Sequence, residues 1–354
     1  MACDALEVRW KGYPRPAGDE QVSLGDALRA QKFLRIIKQR INPHLKAREH
    51  REANYEDLYA AVRQIVQDET LEIVNPSIAA DVAAIKAASI PLHEGQEHHI
   101  DRNAFASLAD RASDLVQWAV YFGLARATKP VGMDLISAVG HAVCELDVFS
   151  LNHELLIERQ LEGSGLQFFD GFGERRGDVR VFSGHWRRDD EVIRLLKLHG
   201  STNWYGFRFP DWDRFAVVNG NVDHAKDEKG RRLDPLSVAP HFLTGTTVKE
   251  QTYGYGLIGE LFFEFRALLA RHRTLICCGY GWGDKGINIR LDQWLRDARE
   301  NRIVILHGDA LEGVRCTRFW GFRWDDFHEA GKVPVFPKWL DDCTLADLEP
   351  FLDR

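Results

Sequence analysis

Nowhere does the chain run to about 18 consecutive apolar residues, the length that a membrane-spanning helix needs. The stretch Met1 to Arg15 carries Asp4, Glu7, Arg9 and Lys11 where a secretory leader would have an apolar core. The expectation is a cytoplasmic protein without membrane association. Paired cysteine spacing is missing as well. Cys3, Cys144, Cys277, Cys278, Cys316 and Cys343 form no C-x-x-C, which argues against a zinc ribbon or a disulfide framework and fits a reducing compartment. Positive charge does not dominate either: the formal net charge is −7, with no general attraction for a phosphate backbone, so direct nucleic-acid binding is not expected. Internal repeats and low-complexity tracts are absent. What remains is 354 residues, 45% apolar and 28% charged, with ten Trp and twenty Phe, the composition of a globular chain with a large core.

From Gly25 to about Thr128 the apolar residues recur with a helical period, Leu58, Val62 and Ile65 on one face and Leu108, Leu115, Trp118 and Phe122 on another. At Ala142 the period changes. Val143 to Phe149 reads as a strand leading through Ser150-Leu151-Asn152 into a helical run from His153 to about Leu161. Asp178 to Ser183 and Val192 to Leu198 read as strands, Trp204 to Phe209 and Phe215 to Asn219 as shorter ones, and Asp223 to Asp234 as a charged loop. Leu257, Ile258, Leu261, Phe262, Phe265, Leu268 and Leu269 mark an amphipathic helix. Thr274 to Cys278 is a short buried strand, followed by a glycine-rich turn, a helix from Ile287 to Arg299 and a strand from Arg302 to Leu306. This alternation predicts an α/β fold, a parallel sheet with helices on both faces, joined to a helical N-terminal module.

Three segments carry chemistry. Lys197-Leu198-His199-Gly200-Ser201-Thr202-Asn203-Trp204 delivers a histidine to the end of a buried strand, where open α/β sheets place ligands. Alone, such a histidine is more often a turn or satisfied core group, and Asn152 at its own strand-to-helix turn is usually just a helix N-cap. Together they mean more, because two strands each end in a residue able to take a proton or orient a water. The third segment, Gly281-x-Gly283-x-x-Gly286, matches the dinucleotide fingerprint between a strand and a helix, with Asp309 at the end of the next strand. Trp282 and Asp284 are bulky or acidic where a diphosphate would approach. The segment therefore reads as a ribose- or adenosine-facing loop, the alternatives being a plain tight turn or the cofactor site of a nicotinamide oxidoreductase. His93-Glu94-Gly95-Gln96-Glu97-His98-His99 matches no helical zinc motif and reads as a polar loop, so no metal is expected.

In this order the segments resemble the sirtuin-like NAD-consuming family, its bacterial antiviral-defence branch more than the protein deacylases. Ser150 to Glu158 is similar to that branch's T-x-N-Y-D-x-x-x-E element, and Lys197 to Trp204 to its K-L-H-G-S-x-x-W element. Gly279-Tyr280-Gly281-Trp282-Gly283-Asp284 with Ile287-Asn288 resembles its G-Y-S-F-x-D-x-x-I-N element, and Asn54-Tyr55-Glu56-Asp57 the start of its helical insertion. The resemblance implies a helical module over residues 1–135, a Rossmann-like NAD-binding core over 136–310 and a C-terminal extension over 311–354. It makes His199 the general base and gives Asn152 the attacking water or the ribose hydroxyls. Ser150, Gly200, Ser201, Gly279, Tyr280, Gly281, Trp282, Asp284 and Asn288 would line the dinucleotide.

Cleaving nicotinamide from ribose passes through an oxocarbenium-like state, as in glycoside hydrolysis, and nicotinamide departs neutral. The deacylases' paired zinc cysteines have no counterpart here, which turns the expectation from acyl-lysine substrates to hydrolysis of NAD+ itself. The family's opening strand and G-A-G-x-S loop, which holds the diphosphate on backbone N–H groups, has no match before Asn54. Gly12 to Gly18 places prolines where donors are needed, so either that strand lies upstream or the diphosphate site has decayed. The resemblance implies an NAD+ glycohydrolase effector of antiphage defence, restrained by homo-oligomerisation or by a partner defence protein such as a ring-forming ATPase. The alternative is a catalytically weak sirtuin-like subunit that binds a nucleotide or scaffolds a defence complex.

Overall fold

Four helices carry the apolar periodicity of the first third: α1 (Leu24–Glu49), α2 (Tyr55–Glu69), α3 (Ala79–Ser89) and α4 (Arg102–Leu124). In this computed structural model residues 24–72, 75–92, 101–184, 186, 193–209, 211–218, 220–237, 239–245, 252–308 and 323–352 are described. The His93 to His99 segment and Asp309 lie outside them. α2 begins at Asn54, whose side chain accepts the Glu56 and Asp57 N–H groups while the Asp57 carboxylate accepts the Asn54 N–H, a reciprocal capping box. α4 packs on α1 and α2, burying Phe33, Ile37, Leu58, Val62, Ile65, Phe105 and Leu108 in one cluster with Val82 and Ile85 of α3. Phe122, expected on the buried face of α4, is 40% exposed and stacks on Trp118 from outside.

Past α4 come α5 (Asp134–Ala142), β1 (Leu146–Ser150), α6 (Leu156–Gly163) and β2 (Phe168–Phe169). The strands β3 (Phe172–Arg176), β4 (Val179–Phe182) and β5 (Ile193–Lys197) precede β6 (Trp204–Arg208), β7 (Asp213–Val218) and β8 (Asp234–Pro235). Then follow α7 (Gly256–Leu269), β9 (Thr274–Cys278), α8 (Lys285–Asp297) and β10 (Arg302–Leu306). The last elements are α9 (Trp324–Glu329), β11 (Val335–Phe336) and α10 (Leu345–Leu348). Contacts divide the chain into two units. One comprises Met1–Arg126, Arg175–Val179 and Thr202–Lys249, and the other Ala127–Glu174, Arg180–Ser201 and Glu250–Arg354. This division runs differently from the boundaries expected at residues 135 and 310. In the first unit, β6 pairs antiparallel with β7 and β8 and groups with the helices. In the second, residues 323–352 do not stand apart: β11 pairs with β10, and Cys343 and Leu348 join the α5 cluster.

The second unit is α/β with parallel sheets, built on a face alternation that β1 and β5 share. Their parallel register runs from Leu146 opposite Ile193 to Ser150 opposite Lys197. Leu146, Val148, Ile193 and Leu195 therefore point to one side, where they pack with Ile157 and Leu161 of α6. Phe149 points to the other and meets Phe265 of α7 edge to face at 4.8 Å. β9, β10 and β11 form a second parallel sheet, with Thr274 opposite Arg302 and Ile305 opposite Val335. β1 starts three residues later than its apolar run, because the Val143 N–H bonds the Val139 carbonyl and closes α5. No helix among the described residues is long and apolar enough to cross a membrane.

Candidate functional site

Register brings the two sequence segments to one edge. Ser150 lies opposite Lys197 in parallel strands, so Asn152 and His199, each two residues further on, both leave the sheet at its carboxyl side. The Leu198 N–H donates to the Ser150 carbonyl at 2.9 Å, and the Asn152 N–H donates to the buried Ser150 hydroxyl at 3.2 Å. Gly200, at φ +80°, folds the chain back with its N–H on the Lys197 carbonyl, a backbone turn that disfavours any other residue. Ser201 is fully buried and donates to the His153 carbonyl at 3.3 Å, tying the two loops together. Asn152 does not cap α6, whose cap position is Leu155; it stands exposed at the rim. The residue of that loop whose ring approaches the His199 ring is His153, at 6.2 Å between centroids.

His199 is 4% exposed and belongs to a three-residue cluster. Its Nε2 lies 3.1 Å from Asp284 Oδ2 and 2.7 Å from the Tyr253 hydroxyl, which itself donates to Asp284 Oδ2 at 2.6 Å. The tyrosine proton goes to the carboxylate, so an Nε2 hydrogen on His199 lies between the tyrosine oxygen and Asp284 Oδ2. Burial pushes the Asp284 carboxyl up, but the His199 bond and charge, the Tyr253 hydroxyl and the Ile287 N–H overcome it and hold the group at about 2. An ionised carboxylate there favours the imidazolium. Asp284 Oδ1 caps α8 by accepting the Ile287 N–H at 3.0 Å.

Tyr253 stacks on Phe262 of α7, with centroids 4.2 Å apart and planes 9° from parallel. Gly286 makes this possible, since a Cβ there would stand 2.5 Å from the Tyr253 ring. The third glycine of the fingerprint thus serves a side chain of the same chain.

Several residues expected to face a dinucleotide instead fix the loop. The Asn288 amide is 1% exposed and donates to the Trp282 carbonyl at 2.8 Å, while the Tyr280 hydroxyl donates to Asn288 Oδ1 at 2.9 Å and to the Asp284 carbonyl at 3.1 Å. Trp282 is buried at φ +56°, a strained backbone for a bulky residue. Gly279, Gly281 and Gly283 behave otherwise: they are exposed, and a Cβ on any of them would meet nothing within 4 Å. Their backbone borders open ground. Lys197, 2% exposed, pairs with Glu158 at 3.1 Å and donates to the Glu154 carbonyl, so the lysine before His199 anchors its loop to α6. Burial outweighs that lysine and raises the Glu158 carboxyl.

At the opposite, amino end of the strands, Glu145, Asp147 and His272 offer ligand atoms within 4.8 Å of one another. The buried guanidinium of Arg194 already bonds both carboxylates, and Arg271 pairs with Glu145 at 2.9 Å, which makes this an ion-pair network. Sequence reasoning did not identify Tyr253, the pairing of Glu158 with Lys197 or that of Asp284 with His199. No family model matches the chain, and no curated protein sequence matches it.

Proposed function

We propose that the chain is a sirtuin-like NAD+ glycohydrolase of the antiviral-defence kind, its two parallel sheets forming one Rossmann-like core around the His199 edge. One observation carries this reading. Asn152 and His199 leave adjacent parallel strands in register, and the glycine segment after β9 supplies the carboxylate that bonds His199. In the reaction, the bond from the ribose anomeric carbon to nicotinamide breaks with its electron pair going to the ring nitrogen, which becomes neutral. Water adds to the oxocarbenium-like carbon and gives its proton to the His199 imidazole, and Asp284 stabilises the imidazolium that results. Asn152, exposed at the rim, holds the water or the ribose hydroxyls. The open backbone of Gly279, Gly281 and Gly283 is where the dinucleotide lies, while Tyr280, Trp282 and Asn288 shape the loop beneath it. The products are nicotinamide and ADP-ribose; the setting is the cytoplasm, with activity restrained by self-assembly or a partner such as a ring-forming ATPase.

A second reading, a nucleotide-binding or scaffold subunit without turnover, is favoured by the burial of His199 and its engagement by Tyr253 and Asp284. The experiment is nicotinamide release from NAD+ by the full chain, alone and with its defence partner. His199→Ala is expected to lower the rate by about 10² to 10⁴, the usual worth of a general base, and Asn152→Ala to lower it as well. Undiminished release in both variants overturns the assignment. Calorimetric binding of ADP-ribose without release by the parent supports the second reading, and appearance of NADH in the presence of a hydride donor supports an oxidoreductase instead.

A further inference from the structure

Helix α7 presents two faces with different surroundings. Leu257, Leu261, Phe265 and Leu268 are buried, on the face that its apolar period announces. Gly256, Gly259, Glu260, Phe263 and Glu264 recur at the same helical spacing on another face, and there they line a cavity of about 550 Å³. Small-molecule sites run from about 300 to 1,000 Å³. The facing wall is Gly184, Trp186 and the Gly254-Tyr255 turn that opens the helix. All of this lining belongs to the unit that carries His199.

Three aromatic rings and two carboxylates meet at this cavity. Phe263 is 70% exposed and Tyr255 66%, so neither ring is there to fill the core. Trp186 is seated: its ring meets Phe169 edge to face at 5.6 Å, and Gly171, at φ +87°, leaves it room, since a Cβ there would stand 2.8 Å from the indole. Gly184, at φ +64°, brings the Trp186 loop against the Glu260 carboxylate, with a Cβ only 3.1 Å from Oε2. Glu260 is exposed and Glu264 is 6% exposed, one helical turn apart on the same wall, where like charges repel. No lysine or arginine is among the described residues that line the cavity. A helix N-terminus ordinarily draws an anion, and here the two carboxylates repel one.

We infer that this cavity binds a guanidinium group, its flat face on the Trp186, Tyr255 and Phe263 rings and its N–H groups on the Glu260 and Glu264 carboxylates. Each alternative cation serves only half of the wall. A quaternary ammonium suits the rings but has no N–H to give a carboxylate, and a primary ammonium donates well but is too strongly hydrated to settle on ring faces. Guanidinium is planar, weakly hydrated and carries five donors, so rings and carboxylates are satisfied together. A free arginine-like molecule and an arginine side chain of a polypeptide bring the same group. Gly254 of the wall follows Tyr253, whose hydroxyl bonds His199, so the ligand lies beside the turn that carries this tyrosine. The inference stands on the α7 cavity and holds whatever reaction the His199 edge performs.

The test is titration calorimetry of the full chain with L-arginine amide, with L-lysine amide and the neutral L-citrulline amide as controls. Arginine amide is expected to bind about tenfold more tightly than lysine amide, and citrulline amide not to bind. Glu260→Gln should weaken arginine amide about tenfold and Phe263→Ala about fivefold. Both side chains are exposed, and an unchanged melting temperature confirms that each variant is folded. Acetyl-Gly-Arg-Gly-amide separates the sources: tighter binding than arginine amide assigns the cavity to an arginine of a polypeptide, weaker binding to a free guanidinium compound. Equal affinity in the parent and both variants overturns the inference, and so does binding of inorganic phosphate that Glu260→Gln strengthens. Absence of binding by the parent overturns it as well; if binding then appears once Arg187 and Arg188 are replaced by alanine, the occupant is the chain's own arginine.

Discussion

Replacing Asp284 by asparagine removes one charge from the His199 cluster while keeping an oxygen to cap α8, since asparagine caps as well as aspartate. The carboxyl sits at about 2 in the folded chain, against roughly 3.9 for a free aspartate. A depression of about 1.9, at about 1.36 kcal/mol per tenfold change in proton affinity, makes the ionised carboxylate worth roughly 2.6 kcal/mol of folding stability at pH 7. Its side chain is 8% exposed, so solvent screening removes little of this. The sign follows from the depressed value: the unfolded chain binds the proton first, so the stabilisation is complete above about pH 5, roughly half lost by pH 3 and nearly gone by pH 2. For a unit of this size each kcal/mol moves the melting temperature by about 2–4 °C, which puts Asp284→Asn about 5–10 °C below the parent at pH 7. Scanning calorimetry of both proteins at pH 7, 4, 3 and 2 should show that gap closing as pH falls. A gap that stays constant or widens refutes the claim that an ionised Asp284 bonds His199 and Tyr253.

Gly286→Ala places a methyl 2.5 Å from the Tyr253 ring and should cost about 1–3 kcal/mol through displacement of that ring from His199. An unchanged urea midpoint would show that the ring does not rest on Gly286. Arg194→Met strips a fully buried guanidinium from Asp147 and Glu145, a loss of about 3–5 kcal/mol read by denaturant unfolding, and a cost below about 1 kcal/mol rules out the buried pair. His241 packs on Phe215 at 4.4 Å, and burial lowers it to about 4. The unfolded chain therefore takes up that proton first, and stability in its unit should fall by up to about 3 kcal/mol as pH drops from 6.5 to 4. His241→Leu should flatten that slope, and an unaltered slope counts against a neutral buried imidazole.

β9 and β10 coincide with their apolar runs, Thr274 to Cys278 and Arg302 to Leu306, because each run is short, apolar and bounded by a change of period. That Asn152 and His199 share an edge was legible for the same reason: strands alternating with helices run parallel, and parallel strands end together. The antiparallel strands of residues 204–235 gave no sign that they group with the N-terminal helices, since local alternation reports which face is covered and says nothing of what covers it.

Polar residues were harder to read for a related reason. Tyr280, Trp282 and Asn288 have ligand-binding character, and only the folded loop reveals that they bond one another. Tyr253 reaches His199 across 54 positions from a stretch with no period of its own. Asp284 is the instructive case. An acidic residue ahead of a helix announces a cap, and Oδ1 does cap α8; Oδ2 is the atom that pairs with the buried His199. One carboxylate answers to both roles because its two oxygens face different directions, and only the first of those directions is a property of local sequence.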